Sequence, residues 1–259
     1  MTNKFRSVLQ RHAEMLFDWR RTTPLLTAIA QTVRPGDVVV DLGCGLGFLS
    51  LAAAKAGARR VYAIDVDGES LDFAKWQATQ LGVAKNIIFL EDHSFNIDLT
   101  EKADVLIQET VGSLAFDENF LPTLCDAKQR LLKKSVRIIP GEVFLIGAPV
   151  DSKRKLLSKP KIFAKIATQK VKRPELSLRK KWVLGKQTKV AGLLAWPKII
   201  WAPHLTTDAS PFSPKTHWKQ TFLPFRNGPR TRKTFRALIK IYPHPLDPVH
   251  YSETVWSFQ

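Results

Sequence analysis

A strand, a glycine-rich turn and a helix follow one another near the start of this 259-residue chain. The apolar residues 38–40 end in Asp41, and a segment of helical composition begins at Phe48. Three glycines lie between them: Gly43, Gly45 and Gly47. Glycine has no Cβ, so the backbone can pass close to a ligand, and the start of the helix offers free N–H groups. This order of elements predicts a nucleotide-like ligand.

The residues around the glycines indicate which ligand it is. A phosphate-binding P-loop needs Gly-Lys-Ser/Thr after the last glycine, but Gly47 is followed by Phe48. The loop reads G-x-G-x-G, with Cys44 inside it, and not the G-x-G-x-x-G of dinucleotide sites. A second β-prone run, 60–64, ends in Asp65, where an acid binds ribose hydroxyls in such folds. Together these residues resemble the S-adenosylmethionine site of a class I methyltransferase.

Further acidic residues follow later strands. Asp92 and His93 come after the predicted strand 86–90, where they could contact an adenine, and Glu109 follows the strand 104–107. Alternation of strands and helices at this spacing predicts an α/β fold with a mostly parallel, Rossmann-like sheet. Ligands then bind outside the carboxyl ends of the strands, where these side chains lie. A second carboxylate, Glu118, follows Glu109 nine residues later across Gly112.

A change of pattern near Pro140-Gly141 predicts a domain boundary. Short β-prone runs punctuated by proline follow it, such as 193–201 and 237–242. We therefore expect a Rossmann-like domain with an N-terminal helix over residues 1–140, and a smaller β-rich, barrel-like domain over residues 141–259.

The positive charge lies in the second part of the chain. The formal net charge is +17, but residues 1–150 hold 17 Lys and Arg against 18 Asp and Glu. The remaining 23 basic and 5 acidic residues fall in 151–259. This asymmetry favours association of the basic domain with RNA or a ribosome, with general solubility as the alternative.

The cysteine and histidine content and the lack of long apolar runs argue against several classes of protein. Two cysteines, Cys44 and Cys125, are too few for a disulfide framework, and the six histidines show no metal-ligand spacing. No apolar run reaches the roughly 18 residues of a membrane span, and the first residues show no signal-peptide core. We expect a cytoplasmic protein without a metal and without a membrane partner.

Residues 4–21 predict one amphipathic helix. Four polar or sulfur-containing residues recur along it three apart: His12, Met15, Asp18 and Arg21. Neighbours in that series share a helix face and could close over a site.

Four segments together resemble the protein arginine N-methyltransferases over most of the chain. Residues 12–22 are similar to the family's N-terminal helix motif, and residues 57–63 match the segment after its glycine loop. Thr216-His217-Trp218 is similar to the family's THW loop. The pair Glu109 and Glu118 matches its double-glutamate loop.

The resemblance implies S-adenosylmethionine as methyl donor and an arginine-containing protein or guanidino compound as acceptor. Arg21 would pair with the carboxylate of the methionine moiety, and Glu109 and Glu118 would bracket the guanidinium. Asp18 and His217 would form the family's dyad that accepts the released proton, and Met15 matches a methionine linked to asymmetric dimethylation. The cofactor would also contact the glycine loop and the acids after the strands: Asp41, Gly43, Cys44, Gly45, Gly47, Asp65, Asp92 and His93.

Several positions depart from the family pattern. Thr110-Val111 replace an aromatic residue and a methionine, Phe95-Asn96 replace the adenine-side acid, and Phe120 stands where many members have methionine. The β domain is short and lacks a recognisable dimerisation arm, so the oligomeric state is open, a homodimer included.

Four functions fit the sequence. The first is methylation of protein arginine, and the second is methylation of free arginine or another small guanidino compound. The third is RNA methylation, suggested by the basic domain, although no Asn/Asp-Pro-Pro-aromatic clamp follows the fourth strand. The fourth is a non-catalytic binding protein, against which the retained acids, Arg21 and His217 argue.

Overall fold

A computed structural model describes residues 3–243 and 252–259 and divides the chain into two compact units. The first contains residues 1–110, 123–141 and 200–207, and the second contains residues 111–122, 142–199 and 208–259. Both units are therefore discontinuous in sequence. The sequence-based domain boundary at residue 140 stays a prediction.

A five-stranded parallel sheet forms the centre of the first unit. Its strands are β1 (Val38–Leu42), β2 (Arg60–Asp65), β3 (Ile87–Glu91), β4 (Ala103–Gln108) and β5 (Leu132–Ile139). They lie in the order β3-β2-β1-β4-β5. Strands β2 and β3 are added on one side of β1, and β4 and β5 on the other, so the strand order switches between β1 and β4. Such a switch point opens a crevice at the carboxyl ends of the two strands. Asp41 and Glu109 come from these strand ends.

Helices cover this sheet. They are α1 (Asn3–Leu16), α2 (Trp19–Thr32), α3 (Phe48–Lys55), α4 (Gly68–Gln80) and α5 (Phe120–Arg130). Every residue of β1 is buried, which explains its continuous apolar sequence around Asp41. Leu25, Ala28 and Ile29 of α2 are fully buried at helical spacing.

The predicted single helix over residues 4–21 is wrong, because the chain breaks between Leu16 and Trp19. Asp18 is the N-cap of α2, and its side chain accepts a 3.2 Å hydrogen bond from the backbone N–H of Arg21. A short acidic side chain satisfies a free N–H at a helix start and so begins a new helix. Asp18 and Arg21 therefore do not continue the face that carries His12 and Met15.

The strands that follow are antiparallel. One sheet has the order β10-β9-β6-β7, with β11 paired to β9, and a second has the order β13-β12-β8. Their bounds are β6 (Glu142–Val150), β7 (Lys161–Ala167), β8 (Leu176–Val190), β9 (Gly192–Ala202), β10 (Leu205–Asp208), β11 (Thr221–Pro224), β12 (Arg230–Pro243) and β13 (Ser252–Phe258). Aromatic rings of Trp182, Phe235 and Phe258 pack in the core of the second unit.

The predicted fold class is confirmed: a parallel Rossmann-like sheet is followed by antiparallel β structure. The predicted strands 60–64, 86–90, 104–107 and 193–201 fall on β2, β3, β4 and β9, whereas β12 extends well beyond the predicted run 237–242. Within the part of the chain that the structure describes, no helix is long and apolar enough to cross a membrane.

Candidate functional site

The glycine loop after β1 packs closely against α4 and the end of β4. Gly43 and Gly47 have φ values of 69° and 76°, which side-chain-bearing residues rarely adopt. A Cβ on Gly47 would lie 2.6 Å from the Cβ of Ala74 in α4, and one on Gly43 would lie 3.0 Å from Cγ2 of Thr110. The spacing read from the sequence therefore has a steric reason, because the loop must pass close to α4 and to the end of β4.

Asp41 lies beneath this loop with none of its surface exposed. Its Oδ2 accepts a 2.6 Å hydrogen bond from the hydroxyl of Ser50 in α3, and its Oδ1 has no partner among the described residues. Burial raises the pKa of Asp41 to about 7, against the opposing Ser50 hydrogen bond, and the charges of Asp65 and Glu109 add to the rise. A buried carboxylate oxygen without a partner is suited to receive a cationic ligand group.

Asp65, at the end of β2, accepts hydrogen bonds from backbone N–H groups of the glycine loop and of its own turn. One of its oxygens accepts the backbone N–H of Gly45 at 2.7 Å, and the other accepts that of Asp67 at 2.9 Å. Each carboxylate oxygen can accept more than one hydrogen bond, so Asp65 retains acceptor capacity for a hydroxyl. It is half-buried.

Cys44 is buried inside the loop. Burial raises the pKa of its thiol, and the carboxylates of Asp41 and Asp65 raise it further. The side chain therefore stays a neutral thiol that packs within the loop, and any cofactor contact it makes is not that of a thiolate.

Helix α1 lies against the glycine loop. The position of a Cβ on Gly45 is 3.4 Å from Nε2 of His12. Leu9 and Leu16 pack against the buried pair Leu46 and Phe73. Met15, on the same helix, is half-buried, and its backbone carbonyl accepts a hydrogen bond from the Thr22 hydroxyl at 3.4 Å.

Arg21 and Glu109 form a buried ion pair between α2 and the end of β4. Nε of Arg21 is also buried and has no partner among the described residues. The structure thus brings together one residue predicted to bind the cofactor and one predicted to bind the substrate.

Asp92 and His93 are engaged within their own turn. Asp92 accepts hydrogen bonds from the backbone N–H of His93 at 2.6 Å and from the side chain of Asn96 at 2.8 Å. The Asn96 amide, followed by the His93 N–H, lowers the pKa of Asp92. The His93 ring stacks on Phe95 with 5.1 Å between ring centroids. These contacts stabilise the turn, and contact of either residue with adenine stays a prediction.

The segment 110–122, which carries Glu118, is tightly folded although it has little regular structure. A Cβ on Gly112 would lie 2.1 Å from Oδ1 of Asp117, so a larger residue here would require the Asp117 side chain to move. The same Asp117 oxygen accepts the backbone N–H of Leu114 at 3.0 Å, and burial raises the pKa of this carboxyl group. Glu118 itself is exposed. The sequence analysis did not predict a role for Asp117. Its position next to Glu118 was the one feature of the sequence that pointed to it.

Trp218 fixes one end of that segment. Its indole N–H donates a 2.6 Å hydrogen bond to the carbonyl of Val111, and only 4% of the residue is exposed. The ring of His217 lies 3.9 Å from that of Trp218, centroid to centroid. The THW segment therefore has a structural role in the second unit that its resemblance alone did not indicate. Asp18 belongs to the first unit and His217 to the second, and their pairing stays a prediction.

Within the described residues, no group of three or more His, Cys, Asp or Glu side chains is placed to hold a metal ion. The expectation of a protein without a metal stays a prediction.

Comparison with known proteins identifies methyltransferase relatives of this chain. The model of the ribosomal protein L11 methyltransferase (PrmA) family matches residues 20–121. The chain is 36% identical over 142 residues to the probable protein arginine N-methyltransferase 6 of Arabidopsis thaliana. It is 32% identical over 151 residues to the arginine N(omega)-methyltransferase of Streptomyces achromogenes subsp. streptozoticus. These alignments cover 54% and 57% of this chain but only 32% and 42% of the relatives, so the chain spans less than half of either.

Solved structures extend the likeness over nearly the whole chain. The Trypanosoma brucei PRMT1 enzyme–prozyme complex with AdoHcy superposes with a TM-score of 0.79 at 22% identity, covering 96% of this chain and 98% of that one. A crystal structure of PRMT6 with SAH gives 0.80 at 20% identity, covering 97% and 100%. At such identities the structures establish the shared fold. The predicted resemblance to protein arginine N-methyltransferases is confirmed by the sequence relatives, and the solved structures show the shared fold.

Proposed function

We propose that this protein transfers a methyl group from S-adenosylmethionine to a guanidino nitrogen of arginine in a protein substrate. The observation that carries the proposal is the buried ion pair between Arg21 and Glu109, because it supports Glu109 as a binding group for a guanidinium. Relatives named arginine methyltransferases and neighbours solved with AdoHcy or SAH support the same reaction.

The residues around the glycine loop fit the cofactor. An amino acid end presents an ammonium and a carboxylate, and the loop region holds one buried acceptor and one buried donor without partners among the described residues. Oδ1 of Asp41 suits the ammonium, and the guanidinium of Arg21 suits the carboxylate, with which it can form two parallel hydrogen bonds. Asp65 would accept ribose hydroxyls, and Asp92 and His93 would lie beside the adenine. When bound, S-adenosylmethionine supplies a methyl group activated by a sulfonium.

Glu109 would act on the acceptor arginine. A guanidinium is a poor nucleophile because its charge is delocalised, and a close carboxylate draws that charge away from the attacking nitrogen. Each such pair contributes at most about 4 kcal/mol at an effective dielectric constant near 20. Glu118 is the proposed second carboxylate, and Asp18 with His217 would accept the proton that leaves after transfer. Met15 would border the methyl group and influence how many methyl groups are added.

The decisive experiment is mass spectrometry of reactions with an arginine-rich peptide and S-adenosylmethionine. The wild type should add methyl groups to arginine, and Glu109→Gln should not. Glu142→Gln is a matched control, since Glu142 forms an ion pair with Lys165 on the antiparallel sheet. Equal turnover of wild type and Glu109→Gln would contradict the proposal.

Free arginine, or another small guanidino compound, is the second candidate substrate. The relative from Streptomyces achromogenes named arginine N(omega)-methyltransferase favours it. The same experiment with free arginine beside the peptide separates the two substrates by which one gains 14 mass units per methyl group, about the mass of CH₂. Incorporation that survives protease but not ribonuclease would instead favour RNA methylation.

The remaining partners and the location are also proposals. A homodimer is one candidate state, and one neighbour is described as a heterotetrameric complex, so sedimentation velocity of the purified protein is the test. Association with RNA or a ribosome has the charge asymmetry in its favour. A cytoplasmic location agrees with Cys44 and Cys125, which are both free thiols.

A further inference from the structure

Two neighbouring strands of the second unit are entirely basic in their charged residues. β8 contains Arg179, Lys180, Lys181, Lys186 and Lys189, and β12 contains Arg230, Arg232, Lys233, Arg236 and Lys240. Neither the 15 residues of β8 nor the 14 residues of β12 include an aspartate or glutamate. Lysine is depleted in strands in general, so this composition calls for a reason other than strand formation.

The strand register divides these residues between two faces. Trp182 pairs with Phe235, and both are buried, which places the even positions of β8 up to Trp182 and the odd positions of β12 from Phe235 onward on the core face; the register shifts between Arg232 and Thr234. Lys181 pairs with Arg236, and both are exposed on the opposite face. We call that opposite face of β8, β12 and β13 the outer face. Arg179 and Lys240 also lie on it and are exposed.

Lys181 and Arg236 lie directly opposite each other on the outer face, whereas Arg179 lies opposite Leu238 and Lys240 opposite Ser177. Like charges directly opposite on antiparallel strands destabilise a sheet by a fraction of a kcal/mol, up to about 1 kcal/mol. Arg179, Lys181, Arg236 and Lys240 make no ion pair within the described residues. Lys161 of β7 adds a further cation, since its Nζ donates a 2.7 Å hydrogen bond to the carbonyl of Lys181. The sheet therefore keeps a repulsive arrangement that an anionic partner would relieve.

The outer face is also grooved. A cavity of about 370 Å³ is bordered by Arg179, Lys181 and Arg236 together with Ser257 and Gln259 of the β13 edge. A second cavity of about 630 Å³ is bordered by Ser177, Lys240, Tyr242 and Val255, and it also includes one cation and one acid, Arg173 and Glu175. Successive outward residues of a strand are roughly 6.6–6.8 Å apart, which is the spacing of Arg179 and Lys181 on β8, while Arg236 and Lys240 on β12 are separated by the outward Leu238.

We propose that the outer face of β8, β12 and β13 binds the phosphate backbone of a nucleic acid. A chain of phosphates matches cations distributed along the neighbouring strands β8 and β12, and it follows a groove more closely than a flat bilayer does. A protein partner would be expected to use buried aromatic anchors, whereas the residues bordering the first cavity are cationic or polar apart from Ala237 and Leu238. This inference gives a site to the proposed nucleic-acid association and does not depend on methyl transfer.

The test is fluorescence anisotropy of a labelled single-stranded RNA of about 20 nucleotides with the full chain over a salt series. The triple variant R179Q/K181Q/R236Q should raise the Kd at least tenfold. Its slope of log K against log salt should be shallower by about 2, because each phosphate that is no longer neutralised reduces the slope by roughly 0.7. The matched control K153Q/K155Q/K170Q removes the same charge from exposed residues of the second unit that lie off this sheet, and it should change the Kd only about two- to threefold.

Several results would overturn the proposal. They are an equal loss of affinity in both triple variants, no binding of RNA by the wild type, or equally tight binding of polyglutamate. Tighter binding to phosphatidylserine vesicles than to RNA would assign the face to a membrane instead. Single-stranded DNA and duplex RNA of the same length show which nucleic acid is preferred.

Two further measurements separate this inference from misfolding and from the proposed reaction. The urea midpoint of R179Q/K181Q/R236Q should be unchanged or higher than that of the wild type, because substitution removes repulsion between Lys181 and Arg236. A lowered midpoint would contradict the repulsion argument. Methylation of a short peptide should be retained in this variant, so loss of RNA binding and loss of methyl transfer are distinguishable.

Discussion

The guanidinium of Arg21 is paired with the carboxylate of Glu109, and only 11% and 8% of these side chains are exposed. Arg21 is proposed to bind the carboxylate of the cofactor, and Glu109 is proposed to bind the guanidinium of the substrate. In the structure Nη2 of Arg21 donates to Glu109, while Nε of Arg21 has no partner among the described residues. Cofactor binding would give Arg21 a second anionic partner and leave Glu109 with free acceptor capacity for a substrate guanidinium.

Replacement of Glu109 should reduce turnover with little loss of cofactor binding. We expect Glu109→Gln to lower kcat at least about 100-fold, as loss of a preorganised electrostatic group does in other enzymes. The Kd of S-adenosylhomocysteine, measured by calorimetry, should change by less than about tenfold, or 1.4 kcal/mol. Glu142→Gln should match the wild type in both. A variant whose cofactor affinity fell as far as its turnover would place Glu109 in cofactor binding instead.

Replacement of Arg21 by lysine should weaken cofactor binding. Lysine keeps the charge but cannot form two parallel hydrogen bonds to a carboxylate, so we expect the Kd of S-adenosylhomocysteine to rise about tenfold. Arg59→Lys is the control, because Arg59 forms an exposed ion pair with Glu101 and such pairs contribute about 0–1 kcal/mol. Unchanged affinity in Arg21→Lys would remove Arg21 from the cofactor site.

The raised pKa of Asp41 predicts a pH dependence of stability. Because its folded-state pKa, about 7, exceeds its ordinary value of 3.8, the native state holds the proton more tightly than the unfolded chain does. This contribution to stability is fully present below about pH 4 and is lost as the pH rises towards 7, by at most about 1.4 kcal/mol per pH unit. Asp41→Asn keeps an acceptor for Ser50 and should remove this part of the slope. Urea unfolding of both proteins at several pH values measures the difference.

The same group should make cofactor affinity depend on pH. If the ionised form of Asp41 binds an ammonium, affinity for S-adenosylhomocysteine should increase as the pH rises through about 7. Asp41→Asn should bind more weakly and lack that increase. Calorimetric titration at pH 6 and pH 8, about one unit either side, tests this. A pH-independent affinity in the wild type would argue against the assignment.

Gly47→Ala tests the steric reason for the glycine loop. Both Gly47 and Gly82 have left-handed φ values, of 76° and 70°, but a Cβ on Gly47 would meet Ala74 whereas one on Gly82 has open space. Gly82→Ala should cost about 1–2 kcal/mol of unfolding free energy from backbone strain alone. Gly47→Ala should cost more and should also weaken cofactor binding. Equal costs in urea unfolding would show that Ala74 does not constrain the loop.

Trp218→Phe tests whether the THW segment braces residues 110–122. The substitution leaves the buried carbonyl of Val111 without its 2.6 Å hydrogen bond, so we expect a loss of about 1–3 kcal/mol in unfolding free energy. Trp19→Phe is the control, since 63% of Trp19 is exposed. If Glu118 is catalytic, kcat should also fall in Trp218→Phe. Matching urea midpoints of the two variants would exclude the bracing role.

The local elements that build the glycine loop and its neighbouring strands could be predicted from the amino-acid sequence. The run into Asp41, the glycine spacing and the acid at the end of β2 are encoded within about 30 residues, because strands and tight turns impose their residue requirements locally. The parallel fold class follows from the alternation of such segments. Asp18 was also a local signal for a helix N-cap. Helical periodicity continues on both sides of it, however, and this led to the prediction of a single helix.

The tertiary structure alone decided which distant side chains meet. Glu109 and Arg21 are separated by 88 residues, and Trp218 and Val111 by 107. The cations of β8 and β12 form one face only through the strand register. Such contacts depend on how whole elements pack, and a single sequence carries no pairwise record of that packing. Sequence therefore determined the chemistry available to this protein, and the fold determined which groups are near enough to use it.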